Sequence, residues 1–77
     1  MAAKKKDNYK KRMIEEFDQL NKRVNKLEKI LLKYRYDKLD FQLTSPIGLL
    51  ESQYNYMVNY RDILKKRAVI EDIDLNY

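Results

Sequence analysis

Residues 9–34 have the sequence YKKRMIEEFDQLNKRVNKLEKILLKY, and this stretch decides the fold. Its apolar residues recur at steps of three and four, with no Gly or Pro between them: Tyr9, Met13, Phe17, Leu20, Val24, Leu27, Leu31 and Tyr34. Such spacing places them along one face of an α-helix and forms a heptad seam from Phe17 onward. Lysines and arginines occupy many of the positions between them. The stretch therefore predicts one long helix with an apolar stripe that needs a partner and a cationic surface that attracts anions.

The composition favours a small helical domain without a metal or redox site. The chain has 77 residues, 38% of them charged, with one Gly and one Pro. It has no Cys and no His, which excludes thiolate metal sites, typical zinc sites and His-dependent triads. No apolar run approaches the roughly 20 residues that a membrane span needs. We therefore expect no cofactor, no membrane association and a cytoplasmic location.

Positive charge is concentrated in the first half of the chain. Residues 1–39 contain 13 Lys or Arg and 6 Asp or Glu, a net charge of +7, whereas residues 40–77 contain 4 and 6, a net charge of −2. This asymmetry indicates an anionic partner for the first half. An alternative interpretation stays open. The surface of the helix is then only solvated, and its charges match head to tail between subunits.

The periodicities divide one helical domain into five segments. We predict a flexible basic arm at residues 1–7, a helix at 8–36, a connector at 37–45, a second helix at 46–70 and an acidic tail at 71–77. Ser45 is the expected N-cap of the second helix, because Pro46 suits the first helical position. The predicted fold is all-α, an antiparallel helical hairpin.

The second helix is apolar over more than one face, so a single partner helix cannot cover it. Its inward stripe comprises Ile47, Leu50, Tyr54, Met57, Tyr60 or Arg61, Leu64 and Ala68, and other apolar residues widen it. A chain of this size has little core to offset the loss of chain entropy. We therefore predict a homo-oligomeric helical bundle. The alternative is a marginally stable monomeric hairpin.

Motifs for catalysis are missing from the sequence. Gly48 is the one glycine, so there is no glycine-rich phosphate loop, and Glu15 and Glu16 are adjacent and point about 100° apart on a helix. We predict that the protein is not an enzyme.

Seven tyrosines are interleaved with lysines and arginines, a combination that suits nucleotides because rings stack on bases and cations attract phosphates. Tyr9 stands beside Lys10 at the start of the first helix. Arg61 lies in the middle of the second helix near its apolar side, where it needs an acid from another chain or a bound phosphate. Arg23 and Lys26 of the first helix could converge with it or remain solvated. For Tyr54 and Tyr60, packing is the favoured interpretation.

Two segments resemble the helices of small phage and prophage proteins related to a crAss-like phage protein. Residues 9–31 resemble their first helix, and residues 46–67 resemble their second, with a Leu-Leu pair, a Gln, a Met, a Tyr and a closing Leu-x-x-Arg. These proteins are similar to the phage anti-CBASS sponges. The resemblance implies compact homo-oligomers, hexamers in the known cases, that sequester cyclic di- and trinucleotides without cleaving them.

The resemblance also implies which residues bind the ligand: Tyr9, Lys10, Arg23 or Lys26, and Arg61. The leading hypothesis is a phage anti-defence protein in the host cytoplasm that sequesters cyclic oligonucleotide immune signals. The alternative is a protein-interaction module, a small phage inhibitor or adaptor that docks on a host protein. DNA binding is not expected, because no short helix-turn-helix is visible.

Overall fold

The computed structural model describes the backbone of residues 2–76 and the side chains of residues 8–76. Helix α1 (Ala2–Arg35) and helix α2 (Ile47–Ile70) pack against each other along their length. The result is a rod about 52 Å long and 19 Å wide. The prediction of an all-α hairpin is confirmed. Within residues 2–76, neither helix has an apolar stretch long enough to cross a membrane.

Helix α1 begins earlier than the sequence predicted. It starts at Ala2, whereas the predicted start is residue 8, and Met1 lies outside the described residues. The physical reason is propensity: Ala and Lys are strong helix formers, and no Gly or Pro separates residues 2–7 from the seam. Residues 2–7 thus continue the backbone of helix α1.

Both helices end in the same way, with an aspartate in the left-handed conformation. Asp37 has φ 56° and Asp72 has φ 57°. After α1, the Lys38 amide donates to the Lys33 carbonyl at 2.7 Å, and after α2, the Ile73 amide donates to the Ala68 carbonyl at 2.8 Å. These long backbone bonds define Schellman motifs, where glycine is the usual left-handed residue.

The start of α2 differs by one residue from the prediction. Pro46 is the N-cap and Ile47 the first helical residue, and no side-chain hydrogen bond caps the helix, so the prediction of Ser45 as the cap is wrong. The Pro46 carbonyl instead accepts from the Leu49 and Leu50 amides at 3.0 and 3.4 Å. The fixed φ of proline, −58° here, suits this boundary position.

The heptad seam of α1 forms most of the core. The buried apolar residues are Met13, Phe17, Leu20, Val24 and Leu27 of α1, Leu64 and Ala68 of α2, and Ile73 and Leu75 beyond α2. The seam loosens towards the connector, since Leu31 is only half-buried and Tyr34 is exposed. The best-packed part of the hairpin is therefore the end where α1 begins and α2 finishes.

The tail packs on its own chain. Ile73 and Leu75 are buried in the same cluster as Met13 and Phe17. An acidic tail of this kind could fray or dock on a neighbouring copy, but residues 71–76 instead fold back on their own helices. The Schellman motif after α2 turns the chain back so that this segment covers the start of the α1 seam. Tyr77 lies outside the described residues.

Candidate ligand-binding site

Tyr9 lies at the well-packed end of the hairpin, where α2 brings two charged side chains to it. The Arg67 guanidinium donates a short hydrogen bond to the Tyr9 hydroxyl and lies 5.9 Å from the centroid of the Tyr9 ring. The Arg67 Nε donates to the Glu71 carboxylate at 3.1 Å, so the two residues, which are one helical turn apart, form an ion pair. An aromatic ring, a cation and a carboxylate thus meet on an exposed surface. Such a combination can recognise a base, a phosphate and a hydroxyl or amino group, respectively.

The carboxylate of Glu71 shifts the pKa values of the two side chains that it contacts. Hydrogen bonding to Glu71 raises the pKa of the Tyr9 phenol above its ordinary value, while the positive charge of Arg67 opposes this rise. The same carboxylate raises the pKa of the Arg67 guanidinium. At neutral pH, Tyr9 is therefore an uncharged hydrogen-bonding group beside a permanent cation.

Two shallow cavities flank the Tyr9 ring. One has a volume of about 710 Å³ and is lined by Asn8, Tyr9, Lys11, Arg12 and Glu15. The other has a volume of about 330 Å³ and is lined by Tyr9, Lys10, Glu71 and Ile73. Each cavity thus combines the tyrosine ring with at least one cation. Both open to solvent, so one chain supplies a partial wall and not an enclosed pocket.

Arg61 lies elsewhere, near the middle of the hairpin. Its Nη1 donates to the Asn21 side-chain oxygen at 3.1 Å. Its Nε is buried and has no hydrogen-bond partner among residues 8–76. A buried donor without a partner costs free energy, so the guanidinium has unused capacity to donate. Within this chain an amide accepts from Arg61, and the predicted partners, an acid of another chain or a bound phosphate, stay predictions.

Arg23 and Lys26 are exposed on α1 and face away from Arg61. At about 100° per residue, Asn21 lies about 90° to one side of the buried seam, while Arg23 and Lys26 lie about 70° and 130° to the other side. Along the axis, Asn21 follows Tyr9 by about 18 Å at 1.5 Å per residue. A single chain therefore brings Tyr9 and Lys10 together but places Arg61, and separately Arg23 and Lys26, at a distance from them.

A third feature lies near the connector. The Tyr54 hydroxyl donates to the Glu28 carboxylate at 2.9 Å, which raises the pKa of Tyr54. This pair borders a groove of about 550 Å³ lined by Glu28, Leu31, Leu32, Arg35, Glu51, Tyr54 and Asn55. The groove contains two carboxylates and one guanidinium, so its charge does not favour a polyanion as the surface around Tyr9 does. Tyr54 is half-buried and packs against the core, as the sequence indicated.

Arg67 was not among the ligand-binding residues predicted from the sequence. The register in which the two helices pair shows why Arg67 reaches Tyr9. The residue numbers of Asn21 and Arg61, and those of Glu28 and Tyr54, both add up to 82. The same register places Tyr9 opposite Ile73. Tyr9 is then within reach of the end of α2, where Arg67 and the C-cap residue Glu71 lie.

A protein-family model described as Sequestin matches residues 7–70. The matched region begins just before Tyr9 and ends with the last residue of α2, so it includes both helices from the candidate site onward. No curated protein matches the chain, and no solved structure does.

Proposed function

The chain belongs to the Sequestin family, and from this membership we propose that it is a phage anti-defence protein that binds and sequesters cyclic di- or trinucleotides. The family description fits a protein that acts by holding a molecule. In the proposed role, each bound nucleotide is removed from the pool that activates a host immune effector, and it is not cleaved. The protein would act in the host cytoplasm, where such signals are made.

The observation that carries the proposal is the meeting of Tyr9 with Arg67, beside Lys10, Lys11 and Arg12. A nucleotide needs a flat surface for its base and cations for its phosphate. Tyr9 supplies the ring, since it is one-third exposed and flanked by open cavities. The guanidinium supplies a planar fork of donors that matches phosphate oxygens.

The proposed site is completed by another copy of the chain. A cyclic dinucleotide presents two bases and two phosphates, and two copies related by a two-fold axis present Tyr9, Lys10 and Arg61 twice with the same symmetry. Because one chain holds Arg61 apart from Tyr9, Arg61 would contribute to such a site only from another copy. Arg23 and Lys26 face outward and would add positive charge at the boundary. A hexamer is the assembly that the resemblance to the sponges implies.

Calorimetry with a panel of cyclic di- and trinucleotides tests the proposal. We expect heat of binding for at least one member and no change in the ligand after the protein is denatured and the supernatant is analysed by ion-exchange chromatography. Lys10→Ala should weaken binding, whereas Lys29→Ala, which removes an exposed cation from the outer side of α1, should not. Absence of heat across the whole panel would refute the proposed ligand class.

A protein-interaction module remains the second candidate function, and one observation favours it. The surface of α2 that faces away from α1 has exposed apolar residues, among them Leu49, Tyr56 and Ile63. If no nucleotide binds while the chain forms a stoichiometric complex with a host protein, this second function replaces the first.

A further inference from the structure

Helix α2 has a second heptad seam on its outer side. Its positions follow one another at steps of four and three: Leu49, Gln53, Tyr56, Tyr60, Ile63, Arg67 and Ile70. We call this set the outer seam. Its five apolar members are between 41% and 84% exposed, the highest value being that of Ile70. In a soluble helix, residues at such spacing are normally covered by another helix.

Apart from Arg67, which reaches Tyr9, the outer seam is not covered by helix α1. The residues of α2 that pack towards α1 include Met57, Leu64 and Ala68, each one position after a member of the outer seam. One position turns the helix by about 100°, so the two stripes face in different directions. The outer seam therefore needs a partner outside this hairpin or must remain in water.

We propose that the outer seam pairs with the outer seam of a second copy, with the two α2 helices antiparallel. This contact between copies is separate from the boundary at Tyr9 that the proposed function uses, and it does not depend on the identity of the ligand. Leu49 and Ile70 occupy the two ends of the seam, and Tyr60 lies near its centre. An antiparallel pair thus places the Leu49 end of each copy against the Ile70 end of the other.

The charge distribution along α2 selects the antiparallel orientation. Residues 47–60 contain one charged residue, Glu51, whereas residues 61–70 contain four cations and one acid. A parallel pair would place two strongly positive halves side by side, which is unfavourable. In an antiparallel pair each positive half faces a half with a net charge of −1. The outward flank near the centre is neutral, with Ser52 and Asn59, so it adds no repulsion.

Sedimentation velocity without ligand tests whether the outer seam is the contact. We expect the wild-type chain to assemble and Ile63→Glu to shift the equilibrium towards the monomer by at least tenfold in dissociation constant. Gln19→Glu introduces the same charge at an exposed position of α1 and should leave assembly unchanged. Circular dichroism checks that each variant keeps its helix content, and Tyr56→Glu provides an independent substitution in the same seam.

Disulfide cross-linking tests the orientation, because the natural chain has no cysteine. Leu49→Cys and Ile70→Cys are prepared separately and oxidised alone and as a mixture. Antiparallel pairing predicts a cross-linked dimer in the mixture and little in either variant alone. Cross-linking of each variant with itself would show a parallel pair and overturn the orientation.

Two results would overturn the outer seam as the contact. The first is a wild-type chain that stays monomeric at all concentrations. The second is assembly that Ile63→Glu and Tyr56→Glu leave intact. Calorimetry measures nucleotide binding by the wild-type chain separately. Nucleotide binding without this contact would refute the outer seam alone, and pairing through the outer seam without nucleotide binding would refute the ligand class alone.

Discussion

Arg67 of α2 donates a hydrogen bond to the hydroxyl of Tyr9 in α1, and its guanidinium lies over the Tyr9 ring, although the two residues are 58 positions apart. The contact orients an exposed aromatic side chain that would otherwise be free to rotate. It also keeps a permanent cation beside that side chain. A surface prepared in this way loses less entropy when it binds a ligand.

Substitutions of Tyr9 separate stacking from hydrogen bonding. If the ring stacks on a base, Tyr9→Ala should weaken nucleotide binding by about tenfold or more, because each base–aromatic stack contributes substantially to affinity. Tyr9→Phe keeps the ring and loses the hydroxyl, so we expect a smaller loss. Calorimetry gives both affinities. Equal affinities for wild type and Tyr9→Ala would remove Tyr9 from the proposed site, and Tyr36→Ala, at an exposed tyrosine of the connector, is the control.

The helical core was predictable because its signal is local and periodic. Met13, Phe17, Leu20 and Val24 recur at helical spacing, and all four are buried. The start of α1 was not predicted, because three lysines and an aspartate suggested a flexible arm, while alanine and lysine propensities favour helix. The pairing of Asp18 with Lys22 at 3.0 Å follows from the same local spacing.

The tail and the surroundings of Tyr9 depend on contacts between distant residues, which periodicity does not specify. Ile73 and Leu75 have strand-like spacing, and nothing in that spacing says that they fold back over α1. The backbone at Asp72 determines this turn, and an aspartate is a weak signal for a left-handed residue. The predicted site included Tyr9 and Lys10, which line the same cavity in the structure, but it omitted Arg67. It also joined Arg61 to them, which requires a second chain.

The tail should contribute measurably to stability. Ile73 is 8% exposed and packs in the core cluster, so Ile73→Ala should lower the free energy of unfolding by about 2 kcal/mol or more. Val69→Ala is the control, since Val69 is 80% exposed and its replacement should have little effect. Urea denaturation followed by circular dichroism measures both variants. Equal midpoints for Ile73→Ala and the wild type would show that the tail does not pack in solution.

Asp37 occupies a backbone conformation that glycine adopts more easily. Its φ of 56° lies in the left-handed region at the end of α1, where an acidic side chain also opposes the helix dipole. Asp37→Gly should therefore raise the free energy of unfolding by about 1 kcal/mol. Asp40→Gly, in the same connector, relieves no such conformation and should be neutral or destabilising. Thermal unfolding measures the midpoints of both variants and of the wild type. A midpoint of Asp37→Gly that is not above that of the wild type would contradict the prediction.

Stability should fall at alkaline pH because of Tyr54. Its hydroxyl donates to the Glu28 carboxylate, and this hydrogen bond, with partial burial, raises its pKa in the folded state above the value of 10.0 for an unfolded chain. The folded state thus holds this proton more tightly, so the contribution is complete below pH 10 and is lost as the pH rises through the folded pKa. Tyr54→Phe should show a shallower decline above pH 10 in chemical denaturation, and Tyr36→Phe should not. Parallel declines for wild type and Tyr54→Phe would contradict this linkage.

Arg61 distinguishes a structural role from a ligand-binding role. Its Nη1 bonds Asn21, but its buried Nε has no partner within residues 8–76, so the guanidinium contributes little net stability. Arg61→Met keeps the alkyl packing and removes the unpaired donor, and we expect its free energy of unfolding to stay within about 1 kcal/mol of the wild type. Arg61→Ala also loses the packing and should be less stable than Arg61→Met. If Arg61 contacts a phosphate, both variants should lose nucleotide affinity equally despite their different stabilities. Nucleotide affinity that is unchanged in Arg61→Met would restrict this arginine to a packing role and leave the Tyr9 end of the hairpin as the ligand-binding surface.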